Sequence, residues 1–492
     1  MNKAFDNDKY LKLQSENILK RVSEFGNKLY LEFGGKLFDD FHASRVLPGF
    51  MPDSKLRMLL TIKDNVEVVI AINAHDIQKN KIRSDLGINY QSEVLRLIDA
   101  FRAAGLLVGS VCITQYEAVP QVEAFRNKLN NLGIKTYLHY EIKGYPHDVS
   151  YIISDEGFGK NEYIETQRKI VVVTAPGPGS GKMATCLSQL YHENKRGIKA
   201  GYAKYETFPI WNLPLKHPVN LAYEAATADL NDVNMVDPYH LEAYNTVTVN
   251  YNRDVEIFPV LKSMFEAIYG SSPYKSPTDM GVNMAGFAIC DDEAAKEASK
   301  NEIIRRYLNS LVDLRNGKIK QDAVDKIALL MRQLEVSVAD RKCVQRALDK
   351  RDKTNTVSMA MELPDGTIVD AKTSALLSAP AALLLNALKS LAGIKDSMML
   401  ISKSIIEPIS EMKINNLGNK NPRLHADEIL IALAISAQTN PLAEMAIKEL
   451  PNLAFCQAHA TVILPEVDMG VFKKLKIDVT TEAEFYAKKL YK

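Results

Sequence analysis

The stretch KIVVVTAPGPGSGKMATCLSQL (169–190) decides the reading of the chain. A run of β-branched residues passes into a glycine–proline loop, and helical spacing follows at once. Strand, glycine loop and helix in that order form the basic unit of an α/β protein, and the loop lies where such proteins hold phosphate. Against the phosphate-loop pattern G-x-x-x-x-G-K-[ST], the chain supplies Pro176, Gly177, Pro178, Gly179, Ser180, Gly181, Lys182 and Met183. The second glycine and the lysine are in place. Pro176 has no N–H and a fixed φ, so it cannot copy the first glycine. Met183 brings no hydroxyl to a magnesium ion. Thr185 lies two residues further on, a rotation of roughly 200° around a helix. The candidate phosphate ligands are therefore Gly177, Gly179, Ser180, Gly181, Lys182 and Thr185, with Lys182 also stabilising transferred charge.

Outward from the loop, strands and helices alternate. VEVVIAIN (66–73), LLVGSVCIT (106–114), IKTYLHYEI (134–142), DVSYIIS (148–154) and IKAGYAKYE (198–206) read as strands. YQSEVLRLIDAFRAAG (90–105) and AVPQVEAFRNKLNNLG (118–133) read as helices stopped by glycine. Such alternation predicts right-handed βαβ units around a mostly parallel sheet. Near residue 290 the pattern turns helical. From about 354 it becomes α+β, with an Asp365-Gly366 hairpin, apolar helices at 374–392 and 425–449, and the strand FCQAHATVIL (455–464). The expected fold class is α/β, a mostly parallel sheet with flanking helices, plus a helical layer and a C-terminal α+β domain. The expected domains are 1–270, 271–353 and 354–492.

Composition narrows the function. Lys plus Arg (61) nearly balances Asp plus Glu (60), so no broad field favours nucleic acid or an anionic membrane. The five scattered cysteines form no C-x-x-C pair, which fits reduced thiols in a cytoplasm. The N-terminus lacks the apolar core of a signal peptide, and the longest apolar segment is broken by Pro380, Asn386 and Lys389.

Other candidates lie in loops. Residues 204–245 hold the only tryptophan, Trp211, together with Lys204, His217, Asp229, Asp232 and Asp237. They read as a long functional loop or a pair of loops, in which Asp229 or Asp237 would hold Mg²⁺ beside a bound phosphate. Residues 274–287, with Thr278, Asp279 and Asn283, read either as a substrate loop or as a connector. His75 and Asp76 follow a strand, where parallel sheets place ligands. Gly34-Gly35-Lys36 offers a second anion site or simply a charged glycine turn. His192-Glu193-Asn194-Lys195-Arg196 has arginine where a zinc peptidase helix needs its second histidine, and no G-x-S-x-G or G-x-G-x-x-G occurs.

The segment GPGSGK is similar to the phosphate loop of small nucleotide kinases, and its continuation into AGYAKYE resembles ATP-dependent ligases of the dethiobiotin and CTP synthetase type. As a set, the 154–193 segment, YKSPTDMGVNMAGFAICDD (274–292) and HATVILPEVDMGVF (459–472) resemble a bacterial family of uncharacterised proteins, sometimes labelled ATP-dependent zinc peptidases. The resemblance covers the whole chain. It implies a cytoplasmic, oligomeric, multi-domain α/β protein and fixes no activity.

The leading expectation is an enzyme that binds a nucleotide or phosphate, with ATP and Mg²⁺ as candidate cofactors and a small phosphate-bearing metabolite as ligand. The alternatives are an enzyme that grips its substrate's own phosphate without ATP, and a non-catalytic oligomeric or regulatory protein. No nucleic acid, membrane or resident metal is expected, and a homo-oligomer is.

Overall fold

The computed structural model describes residues 3–34, 37–83, 86–230 and 232–486. Two compact units divide the chain, one built from residues 2–224 and 231–299, the other from 225–230 and 300–492.

The first unit is an α/β layer. Its sheet contains β1 (Leu29–Phe33), β2 (Val66–Asn73), β3 (Leu107–Thr114), β4 (Lys135–Leu138), β5 (Ile170–Thr174), β6 (Gly201–Tyr205) and β7 (Gly281–Val282). The strand order is β7-β6-β1-β5-β2-β3-β4, and every pairing is parallel. Helices α1 (Asn7–Glu24), α2 (Tyr90–Ala103), α3 (Pro120–Asn131), α4 (Lys182–Lys195) and α5 (Asn252–Tyr269) belong to this unit. All five residues of β1 and of β5 are buried, as expected for central parallel strands covered on both faces. The β-branched run of β5 follows from that double burial.

The strand order sets a crevice. From β2 the chain moves to β3 and β4 on one side, whereas from β5 it moves through α4 to β6 on the other. β2 and β5 are adjacent, so the connections leaving their C-terminal ends diverge. Such a switch point is where open parallel sheets admit ligands.

Several local expectations change. DVSYIIS is not a strand. Asp148 accepts a hydrogen bond from the Tyr151 amide at 3.2 Å and caps a helical turn, Val149–Ile152. Residues 204–245 are less loop-like than expected. They hold the helices Pro218–Ala226 and Pro238–Tyr244, and Asn234–Val236 pairs antiparallel with Val249–Tyr251. The central strand β1 runs up to the predicted glycine turn, Gly34-Gly35-Lys36. Of that turn, Gly35 and Lys36 lie outside the described residues.

In the second unit, helices Gln321–Gln333 and Lys342–Thr354 precede a mixed sheet of β8 (Ser358–Glu362), β9 (Ile368–Lys372), β10 (Gln457–Ala460) and β11 (Asp478–Thr481). The order is β9-β8-β10-β11, with β10 and β11 parallel and the other pairs antiparallel. The β8–β9 pair is the Asp365-Gly366 hairpin. Asn440 and Pro441 divide the expected 425–449 helix into Ala426–Ser436 and Pro441–Lys448, because proline can begin a helix but not continue one.

Candidate functional site

The 177–182 loop rises from the end of β5 into the crevice. Side chains from neighbouring strand ends hold its carbonyls. The Asn73 amide group, at the end of β2, donates to the Gly179 carbonyl at 3.3 Å and to Gln115 Oε1 at 2.6 Å. Thr114, the last residue of β3, donates to the Ser180 carbonyl at 2.9 Å. Ser180 donates its own hydroxyl to the Gly177 carbonyl at 2.9 Å. In a planar trans peptide the N–H points opposite to the C=O. Drawing the 179 and 180 carbonyls toward Asn73 and Thr114 therefore turns the amides of Ser180 and Gly181 away from those side chains.

Two glycines are required for this shape. Gly181 is the N-cap of α4 in the left-handed region, with φ of 81° and no side-chain cap. A Cβ there would lie 2.9 to 3.0 Å from the Thr114 side chain. Gly177 has the Tyr90 hydroxyl against it, where a Cβ would come within 2.1 Å. Gly179, with φ of 77°, faces open space.

The other predicted loop residues divide. Thr185 is fully buried, donates to the Gly181 carbonyl at 3.0 Å and faces Cys112, so its hydroxyl lies beneath the loop. Lys182 is partly exposed at the start of α4, one helical turn before Cys186. Burial pushes the Cys186 thiol well up. Glu32 pushes it further and Lys182 opposes. His75 Nδ1 lies 3.4 Å from Gln115 Oε1, and Asp76 is ion-paired with Lys81 at 3.2 Å.

Beyond β1, a polar cluster occupies the end of β6. Tyr202 donates to Glu32 Oε2 at 2.6 Å, and Lys204 is ion-paired with both Asp254 and Glu206, the latter at 2.9 Å. Burial opposes the Lys204 ammonium, but Asp254, Glu206 and Glu32 outweigh it and hold its pKa above the ordinary range. Burial pushes the Glu206 carboxyl up to about 7, against Lys204 and with help from Asp254.

Asp237, fully buried, caps Pro238–Tyr244 by accepting from the His240 amide at 3.0 Å, and takes both the amide and the hydroxyl of Thr278. With His240 2.9 Å from the Ser276 hydroxyl and Tyr244 donating to Asp279 at 2.9 Å, it joins the two segments read as separate loops. Asp229 is exposed on the turn Ala228–Leu230, which belongs to the other unit. Asp232 is ion-paired with Arg253 at 2.7 Å, and His217 with Asp292 at 3.0 Å. Among the described residues, no group of three or more His, Cys, Asp or Glu could hold a metal ion, and no helix is long and apolar enough to cross a membrane.

The family described as "Domain of unknown function DUF1846, N-terminal" matches residues 3–335, and its C-terminal counterpart matches 339–491. The chain belongs to the DUF1846 family. The UPF0371 protein stu1377 of Streptococcus thermophilus is 58% identical over 489 residues, covering 99% of each chain. A UPF0371 protein of Streptococcus pneumoniae (strain JJA) is also 58% identical, with 99% of each chain covered. None of these descriptions names a peptidase or a phosphate loop. Within this DUF1846 chain, Asn73, Tyr90, Thr114, Gln115, Glu206 and Asp254 were not singled out from sequence. Their one available signal was position, since Asn73 and Thr114 end strands and Glu206 follows one.

Proposed function

We propose that the chain is an enzyme that binds the phosphate of a small metabolite at the 177–182 loop. The observation that carries this reading is the pull of Asn73 and Thr114 on the 179 and 180 carbonyls, which presents the Ser180 and Gly181 amides beside the uncapped start of α4. Lys182 supplies the compensating charge. Ser180 and Thr185 act by shaping the loop through their hydroxyls. With methionine at 183 and the Thr185 hydroxyl beneath the loop, the reading favours a substrate's own phosphate over a magnesium nucleotide. Asp237 serves as a positioning residue for 274–287. Cytoplasmic residence belongs to the same reading, supported by five free cysteines.

Thermal-shift titration of wild type and Lys182→Ala tests it, with inorganic phosphate, ribose 5-phosphate, ATP and GTP, each with and without Mg²⁺. A native-state ligand at a hundredfold excess over Kd adds about 2.7 kcal/mol of stability. A Lys182-dependent shift with phosphate and ribose 5-phosphate is expected without Mg²⁺. A shift confined to Mg²⁺–nucleotide would transfer the reading to ATP, and no shift with any ligand would reduce the loop to a turn.

A further inference from the structure

Glu206 stands at the C-terminal end of the parallel sheet, on the same edge as the 177–182 loop. β6 and β5 are separated only by β1, so two strand spacings, about 10 Å, lie between the loop and Glu206. A small phosphorylated metabolite spans that distance. Between the two strands lies β1, whose Glu32 faces Lys204 in the β1–β6 register.

The Glu206 side chain is more than nine-tenths buried, and its Oε1 faces the Lys204 ammonium at 2.9 Å. Gly281 lets the Trp211 indole pack beside it, since a Cβ there would press on the ring at 2.5 Å and on Glu206 Oε2 at 3.2 Å. The enclosed Trp211 indole N–H has no acceptor among the described residues. A buried carboxyl set against a second carboxylate and one lysine is a costly arrangement for folding alone, and a pocket that tunes proton affinity is where such arrangements concentrate.

We propose that Glu206, braced by Lys204 and Asp254, exchanges a proton with the substrate whose phosphate the 177–182 loop holds. This rests on the phosphate reading above. As a carboxylate, Glu206 takes a proton from a substrate C–H or O–H, and the bonding pair stays with the substrate. As the acid, it returns that proton, and Lys204 offsets the negative charge that develops meanwhile. The groups facing Glu206 are Lys204 from β6, Asp254 from α5, and Tyr223 and Tyr251 from the segments packed over it, with Glu32 behind Lys204. Burial keeps both tyrosines neutral at pH 7, leaving the carboxylates and Lys204 to set the proton affinity.

The test is isothermal titration calorimetry near pH 7 in buffers of different ionisation enthalpy, with inorganic phosphate and ribose 5-phosphate as probes, on wild type, Glu206→Gln and Glu206→Asp. The sugar is expected to cover Glu206 and drive proton uptake beyond that seen with inorganic phosphate. That excess should vanish in Glu206→Gln and persist in part in Glu206→Asp. An excess unchanged in Glu206→Gln, or ribose 5-phosphate binding no tighter than inorganic phosphate, overturns the assignment of Glu206 alone. Failure of inorganic phosphate itself to bind overturns the loop reading and this one with it. Should both variants fail to fold, infrared titration of ¹³C-glutamate-labelled wild type decides. A carboxyl band that titrates near neutrality and shifts with ribose 5-phosphate supports the proposal, and a band indifferent to the sugar sinks it.

Discussion

Thr114 and Asn73 grip the loop from behind through single hydrogen bonds, so each can be removed with little change of volume. Thr114→Val keeps the shape and leaves the Ser180 carbonyl without its donor. A buried polar group stranded in that way costs about 1–3 kcal/mol. Chemical denaturation should register that loss, and inorganic phosphate should produce a smaller thermal shift than in wild type because the Gly181 amide is no longer aimed. A full wild-type shift in Thr114→Val would mean the loop holds its form without this brace. Glu206 carries a pH prediction of definite sign. Its folded pKa is raised to about 7 from the model-compound 4.5, so the native state binds the extra proton between those values. Its contribution to stability is full below about pH 4.5 and is lost as pH rises through 7. Glu206→Gln mimics the protonated form, so its denaturation midpoint should gain on wild type steadily from pH 4.5 to 7.5. A constant gap across that range would show that Glu206 titrates normally.

Among elements, the β5–loop–α4 unit was the most legible in sequence, and its two left-handed glycines explain why. Gly179 and Gly181 share the strain of a positive φ, about 1–2 kcal/mol for an L-residue, but only Gly181 also meets the Thr114 side chain. Both alanine substitutions restrict the unfolded chain equally, so that effect cancels between them. Gly181→Ala should therefore unfold at lower urea than Gly179→Ala, and the difference measures the contact alone. β2 and β5 were equally readable, because strands covered on both faces need continuous β-branched runs. β1 was not, since LYLEF carries Glu32 and runs straight into glycines. The site behind the loop left even less trace. Asn73, Thr114 and Gln115 are single polar residues on different strands, and Glu206 and Asp254 share no helical or strand spacing. Only the order of strands in the sheet makes them neighbours, and strand order is not periodic information. Residues 204–245 misled for the opposite reason, because their polar density marks buried caps such as Asp237 and the ion pair of Asp232 with Arg253.

Taken over the whole molecule, buried histidines oppose the groups whose proton affinity is raised. His139 is pushed down to about 4 by burial, and His192, His217 and His459 are lowered for the same first reason. His425 moves the other way, raised chiefly by its hydrogen bond with Asp468. A depressed histidine stays neutral in the native state and charges on unfolding, so its contribution is present above about pH 6.5 and is lost as pH falls through the folded value. Raised groups, His425 and Glu206, release protons on unfolding in overlapping windows. Near pH 5.5 the proton that His139 takes up on unfolding opposes the one that Glu206 releases, so removing either group tips the balance. Calorimetric unfolding in acetate and in a buffer of larger ionisation enthalpy reads that balance as a buffer-dependent enthalpy. His139→Gln should shift it toward proton release, because that ring sits buried against the Glu162 carbonyl at 3.1 Å inside the first unit. A buffer dependence unchanged in His139→Gln would show that the His139 ring titrates alike in the folded and unfolded chain.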